Sequence, residues 1–305
     1  MKRFYLPTEI ITGAGCFEQL GEAAHRYGER ALLVCGAGAI RRSGVLDRGL
    51  EILAQTEVSA TVYDRVTGEP TLSVVEEGRK LAREQEAQIV IGLGGGSAMD
   101  TAKAVAGLYH QAGRVAEYHA GRPLEGPGLP FVAIPTTAGT GAEVTKNAVL
   151  INPTSGLKRS IRSDQWYARL ALIDPELTLS LPPSVTASTG SDALCQAIES
   201  FVSIGAQPIT DALAMEAIRL IGRSLVRACE DGQDMAARAD MLYGSLLAGM
   251  ALANARLGGV HGIAHPLGGH YRIPHGVLCG LLLPYLMEYN LEYAAEKYAR
   301  IAQVL

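Results

Sequence analysis

Residues 88–103 read QIVIGLGGGSAMDTAK, and this stretch decides the fold. Gln88–Leu93 is a short apolar run, partly β-branched and closed by glycine, the pattern of a buried strand. Gly94, Gly95 and Gly96 make a tight turn, and Ser97, Asp100, Thr101 and Lys103 lie on the opening of a helix. Strand, glycine turn and helix start together form an anion site, because the free N–H groups and the helix dipole favour negative charge. Glycine also lets a pyrophosphate approach the main chain. The spacing is not G-x-G-x-x-G, and a triple glycine alone reads equally well as an ordinary turn.

Outward from this stretch the same alternation repeats. Arg30–Cys35, Val58–Tyr63 and Phe131–Pro135 read as buried strands, with Ala148–Ile151 and Leu170–Ile173 as two more. Between them lie helical stretches such as Leu72–Glu86, apolar at Val74, Val75 and Leu81 and charged opposite. Alternating strands and helices predict an α/β domain with a parallel sheet covered on both faces. After about Pro183 only helical periodicity remains, over Thr186–Val202, Thr210–Cys229, Asp234–Arg256 and Leu291–Leu305. The expectation is an α/β domain over 1–181 and an all-α domain over 182–305, joined by a rigid LPPS linker at Leu181–Ser184. The closing stretch LEYAAEKYARIAQVL carries Tyr293, Tyr298, Ile301 and Leu305, which need something to pack on. Either this end docks on its neighbours or the chain is a fragment of a longer protein.

The chain has 305 residues, a net charge of -4 and 48% hydrophobic residues, which suits two domains and offers no basic stripe for nucleic acid. No apolar run reaches roughly 18 residues, so no membrane span is expected. The opening MKRFYLPTEI has no apolar core and reads as neither signal peptide nor anchor. The five cysteines (Cys16, Cys35, Cys195, Cys229, Cys279) are scattered, with no C-x-x-C pair, and read as reduced thiols of a cytoplasmic protein.

Two further segments carry chemistry. Residues 135–143 read PTTAGTGAE and put Thr136, Thr137 and Thr140 directly after a strand, where short hydroxyls can bond a cofactor. Local side-chain bonds are the plainer reading. Two such loops in one α/β domain favour the cofactor. The second segment is HGIAHPLGGHYRIPHG, in which four of the seven histidines fall: His261, His265, His270 and His275. His261 and His265 share a face if the segment is helical. So dense a cluster points to metal binding or acid–base work. Asp192 and Gln196 are four apart in GSDALCQ, on a stretch rich in Ala and Leu. A buried Asp there needs a partner, and a cation shared with His261 and His275 would supply one. Glu199, further along, reads as a solvated or capping charge.

These segments, with FYLPTEIITGAG, LALIDPELTLSLP and TASTGSDAL, resemble the iron-containing (group III) alcohol dehydrogenases, relatives of glycerol dehydrogenase and dehydroquinate synthase. The resemblance runs from Arg3 to the last residue. It implies the dehydroquinate synthase-like fold: an N-terminal dinucleotide-binding domain and a C-terminal helical domain holding metal and substrate. It also implies hydride transfer between NAD(P)H and a small alcohol or aldehyde in the cleft, with one divalent metal, Fe²⁺ or Zn²⁺. The family's ligands fall on Asp192, Gln196, His261 and His275, and Gln196 departs from the usual His. Its oxygen either coordinates or hydrogen-bonds from outside while a water fills the place. By the same resemblance Gly94–Ser97 match the pyrophosphate loop, Thr136, Thr137 and Thr140 face the cofactor, and Lys158 approaches it. His265, with His270, would exchange the substrate proton. Family members also continue with several more helices.

The turn Gly36, Ala37, Gly38, Ala39 belongs to the cofactor site too. NAD-specific members have an Asp at about Gly36. Its absence, with Arg41 and Arg42 close by, favours acceptance of NADP. Phe4–Pro7 followed by Ile10 and Ile11 reads as an edge strand in need of a partner, and a homodimer is expected. Two rivals remain: a synthase of the dehydroquinate type, against which the lack of a dense Lys/Arg pocket counts, and a non-catalytic remnant decayed at Gln196. Glycerol dehydrogenase and maleylacetate reductase types are variants of the main reading.

Overall fold

The computed structural model describes residues 2–271 and 273–305. Its strands are β1 (Glu9–Thr12), β2 (Arg30–Gly36), β3 (Ser59–Val66), β4 (Ile89–Gly94), β5 (Phe131–Pro135), β6 (Asn147–Ile151), β7 (Lys158–Arg162) and β8 (Leu170–Ile173). The helices of the first half are α1 (Leu20–His25), α2 (Ala39–Arg42), α3 (Val45–Gln55), α4 (Leu72–Glu84), α5 (Gly96–Leu108) and α6 (Val115–His119). Then follow α7 (Pro183–Val202), α8 (Pro208–Glu230), α9 (Met235–Ala255), α10 (Gly259–Tyr271) and α11 (His275–Ala302).

Two compact units emerge. The α/β unit comprises Pro7–Thr136 and Thr145–Leu177, and the helical unit Met1–Leu6, Thr137–Val144 and Thr178–Leu305. The division therefore differs from one cut at 181/182. Residues 137–144 leave the α/β unit because their glycines pack on helices. A Cβ on Gly141 (φ +58°) would lie 2.4 Å from the Cα of Gly249 on α9, and one on Gly139 would lie 2.8 Å from the Cβ of Thr189 on α7. LPPS is also less a linker than a helix start. Pro182 caps α7 and Pro183 is its first residue, a place that suits proline because no N–H is needed there. The buried Arg238 fixes this entry by donating to the Leu181 carbonyl (3.1 Å) and to Thr186 Oγ1 (2.8 Å).

In the α/β unit six parallel strands run in the order β1-β8-β5-β4-β2-β3. All six residues of β4 are buried, as expected of a central strand covered by helices on both faces. From β2 the chain steps outward to β3 and returns on the other side of β2 as β4. The order thus reverses between β2 and β4, the position where open α/β sheets bind ligands at their carboxyl edge. Ile10 and Ile11 pair within the chain, with Ala171 and Leu172 of β8, so the expected N-terminal strand finds its partner at home. Phe4–Pro7 form no strand. β7 pairs antiparallel with β6 in a separate two-stranded sheet.

The helical unit has α7 at its centre, packed against α8, α9 and α11. In α11 Tyr298 and Ile301 are buried and dock the chain's end, whereas Tyr293 stays exposed. Among the described residues no helix is long and apolar enough to cross a membrane.

Candidate active site

Helix packing determines which donors can meet. α11 crosses α7 closely because two glycines one turn apart face it. A Cβ on Gly276 would lie 2.0 Å from the Ser188 carbonyl oxygen, and one on Gly280 would lie 3.3 Å from the Ser191 Cβ. This approach carries His275 and Cys279, on the same α11 face, onto Asp192 of α7. Asp192 Oδ1 lies 3.2 Å from His261 Nε2 and 3.7 Å from His275 Nε2. Cys279 Sγ lies 3.8 Å from His261 Nε2 and 3.6 Å from His275 Nε2. Asp192, His261 and Cys279 are buried and His275 is partly so, and one donor atom from each of the four lies within 4.8 Å of the others.

Glu199, expected as a solvated or capping charge, is buried at this site. It accepts the Val260 N–H (2.7 Å) at the start of α10 and pairs with His261 Nδ1 (2.5 Å). A carboxylate on Nδ1 fixes the ring and turns Nε2 toward Asp192, the usual arrangement behind a metal-binding imidazole. Burial alone would favour neutral His261. The bond to Asp192, with those to Cys279 and Glu199, outweighs it and holds the imidazole well above its ordinary range. Asp192 is the converse case. Burial would raise its carboxyl, but the His261 bond and the nearby His275 pull it below its ordinary value.

Gln196 follows Asp192 by one turn of α7. Its Oε1 is buried and has no hydrogen-bond partner among the described residues. The donor chemistry and that orphaned acceptor suit a divalent cation, so the residues fit the metal that the sequence implied. His265 lies on the same α10 face as His261 and stacks on His275, with ring centroids 5.1 Å apart. His270 does not join them. Nine residues after His261 place it half a turn round the helix, where it is exposed and packs edge-on against Tyr271 (4.7 Å).

The expected cofactor residues divide between the two units. In the α/β unit Gly36 ends β2, Gly94 ends β4, and Thr136 donates its N–H to the Gly94 carbonyl (2.9 Å) after β5. These three turns sit side by side at the carboxyl edge, at the reversal of strand order. Gly94 has φ +149°, and a Cβ there would lie 3.0 Å from Ala98 and 4.0 Å from the Gly36 nitrogen, so only glycine leaves this edge open. Gly95 caps α5 with no side-chain bond to its first turn, and Gly96 and Ser97 begin the helix, where backbone amides can receive a phosphate.

Gly38 caps α2, with the Arg42 guanidinium over it: a Cβ there would lie 2.7 Å from Nη1. Arg41 pairs with Asp64 (3.2 Å). Asp100 accepts the Val149 N–H (2.9 Å) and lies 3.7 Å from Lys103, and Lys158 pairs with Glu69 (2.5 Å). Both side chains therefore tie the β6–β7 hairpin to the unit. In the helical unit Thr140 Oγ1 accepts the Ala142 N–H (3.3 Å), the local bond that the sequence also allowed, and Thr137 is half-buried.

Residues 7–175 match the family model described as iron-containing alcohol dehydrogenase, and residues 186–305 match that of the Fe-containing alcohol dehydrogenase family, C-terminal. Long-chain-alcohol dehydrogenase 1 of Geobacillus thermodenitrificans is 43% identical over 306 residues, covering 99% of this chain and 77% of that protein. The crystal structure of a 1,3-propanediol oxidoreductase superposes with a TM-score of 0.96 at 38% identity, over 100% of this chain and 80% of that one. A sulfoacetaldehyde reductase from Bifidobacterium kashiwanohense, solved in complex with NAD⁺, gives a TM-score of 0.90 at 35% identity, over 95% and 77%. On matches to both family models and at these identities, the chain belongs to the iron-containing alcohol dehydrogenase family.

Proposed function

We propose that this chain is a metal-dependent oxidoreductase that transfers a hydride between NAD(P)H and a small alcohol or aldehyde. The convergence of Asp192, His261 and His275, on a chain of this family, carries the reading. When bound, the metal supplies Lewis acidity toward a substrate oxygen and the nicotinamide supplies or takes the hydride. Asp192, His261 and His275 hold the metal, with Gln196 Oε1, which has no partner among the described residues, one turn along α7. Glu199 is a positioning residue that fixes the His261 ring. His265, stacked on His275 and half-buried, exchanges the substrate-oxygen proton with solvent. Its place on α10 favours it over His270.

For the cofactor, Gly36, Gly38 and Gly94–Ser97 receive the pyrophosphate, and Thr136, Thr137 and Thr140 take the nicotinamide end. Position 36 carries no acid that would repel a 2′-phosphate, and Arg42 lies over Gly38 to pair with one, so NADPH is accepted at least as well as NADH. Oxidation of NADPH and NADH with a panel of small aldehydes, side by side, tests both points. Turnover with NADPH is expected. A strong preference for NADH would refute the cofactor reading, and no turnover with either cofactor would refute the function.

β1 stands at one edge of its sheet, which supports a homodimer. Light scattering at micromolar concentration should give the dimer mass. Monomer alone contradicts it.

A further inference from the structure

We propose that Cys279 is itself a metal ligand, and that its sulfur takes the coordination position which no histidine at 196 fills, turning the site toward Zn²⁺. The inference rests on the metal reading above and goes beyond its ligand set. Four donors at tetrahedral corners about 2.0–2.3 Å from a zinc ion lie roughly 3.3–3.6 Å from one another. Four separations around Asp192 Oδ1, His261 Nε2, His275 Nε2 and Cys279 Sγ are 3.2, 3.7, 3.8 and 3.6 Å. They approximate four of the six edges of such a tetrahedron, and Cys279 forms two of them.

The other nearby thiol does not fit. Cys195 Sγ lies 4.0 Å from Nδ1 of His261, the nitrogen already paired with Glu199 at 2.5 Å, and so faces the back of the ring. Cys279 faces Nε2, the side shared with Asp192. Placement follows from the glycines of α11. Gly276 and Gly280 let the helix sit against Ser188 and Ser191, and the one-turn spacing of His275 and Cys279 aims both donors at one point.

The chemistry selects the ion. One thiolate, two imidazoles and one carboxylate form a borderline-to-soft set that suits zinc, whereas neutral amide and carboxylate oxygens suit harder ions. Coordination deprotonates the thiol outright, and the proton leaves to solvent. The Gln196 amide is then left outside the coordination sphere, where its buried Oε1 can accept a hydrogen bond from water or a substrate hydroxyl.

Loading the whole chain with Co²⁺ in place of its metal and recording the spectrum tests this. A thiolate-to-cobalt charge-transfer band in the near ultraviolet is expected in the parent protein, in Cys195→Ala and in Gln196→Ala, and is expected to vanish in Cys279→Ser. Zn²⁺ retention in Cys279→Ser should weaken by at least about 10–100-fold, the scale seen for mere supporting groups. X-ray absorption at the zinc edge of the parent protein should show a sulfur at about 2.3 Å, a measurement that does not depend on any variant folding. Cobalt d–d bands without the charge-transfer band, or a band that follows Cys195, would overturn the role of Cys279 while leaving the metal site standing. Failure of the parent protein to bind Co²⁺ or Zn²⁺ would overturn both.

Discussion

Asp192→Ala is expected to abolish stoichiometric metal retention and to slow aldehyde reduction by about 10³-fold or more, the equivalent of the several kcal/mol that a bound cation contributes to transition-state charge. The reason is geometric. Asp192 is the carboxylate that both His261 and His275 approach, at 3.2 and 3.7 Å, and it makes burial of those imidazoles favourable on this face. Without it the remaining ion pair of His261 runs to Glu199 on the opposite ring nitrogen, which cannot serve the metal. Metal content by mass spectrometry and turnover should fall together. A variant that keeps its metal and its rate would remove Asp192 from the site.

Gly276→Ala is expected to cost about 3 kcal/mol, the upper end for inserting a methyl group into a packed contact, and to lower Tm by on the order of 10 °C. The added Cβ would lie 2.0 Å from the carbonyl oxygen of Ser188 and 2.7 Å from its carbonyl carbon, and backbone cannot swing aside as a long side chain can. α11 must therefore move off α7, and His275 and Cys279 move with it. Metal retention should weaken even in molecules that stay folded. Differential scanning calorimetry with metal analysis reads both effects. An unchanged Tm would mean that the helices do not pack as described.

Much of the α/β unit is legible in the sequence because buried parallel strands are apolar on both faces. Ile89–Leu93, Phe131–Pro135 and Leu170–Ile173 announce themselves this way. β7 does not. KRSIR is charged at three of five positions with Ile161 alone buried, so pairing rather than composition makes it a strand. The loop 137–144 was legible as a threonine-rich turn, but not as part of the helical unit. That follows from Gly141 meeting Gly249, a contact more than a hundred residues apart in sequence.

At the candidate metal site the histidine cluster was visible, and Asp192 could be found as a charge stranded on an Ala/Leu-rich helix. Periodicity placed His261 and His265 on one face, and the same arithmetic applied to His270 puts it on the other. Glu199 and Cys279 carried a weaker signal. A lone Glu on a helix looks solvated until α10 is laid across it, and Cys279 looked like one of five scattered thiols. The one-turn spacing from His275 to Cys279 was the sign that linked them, and only the crossing with α7 gives that spacing its meaning.

The most direct measurement follows NADPH oxidation with an aldehyde through removal and return of the metal, with bound metal quantified at each step. Activity should disappear on dialysis against a chelator and return in proportion to the Fe²⁺ or Zn²⁺ taken up. Aldehyde reduction at an unchanged rate by protein verified to be free of metal would contradict the role assigned to Asp192, His261 and His275.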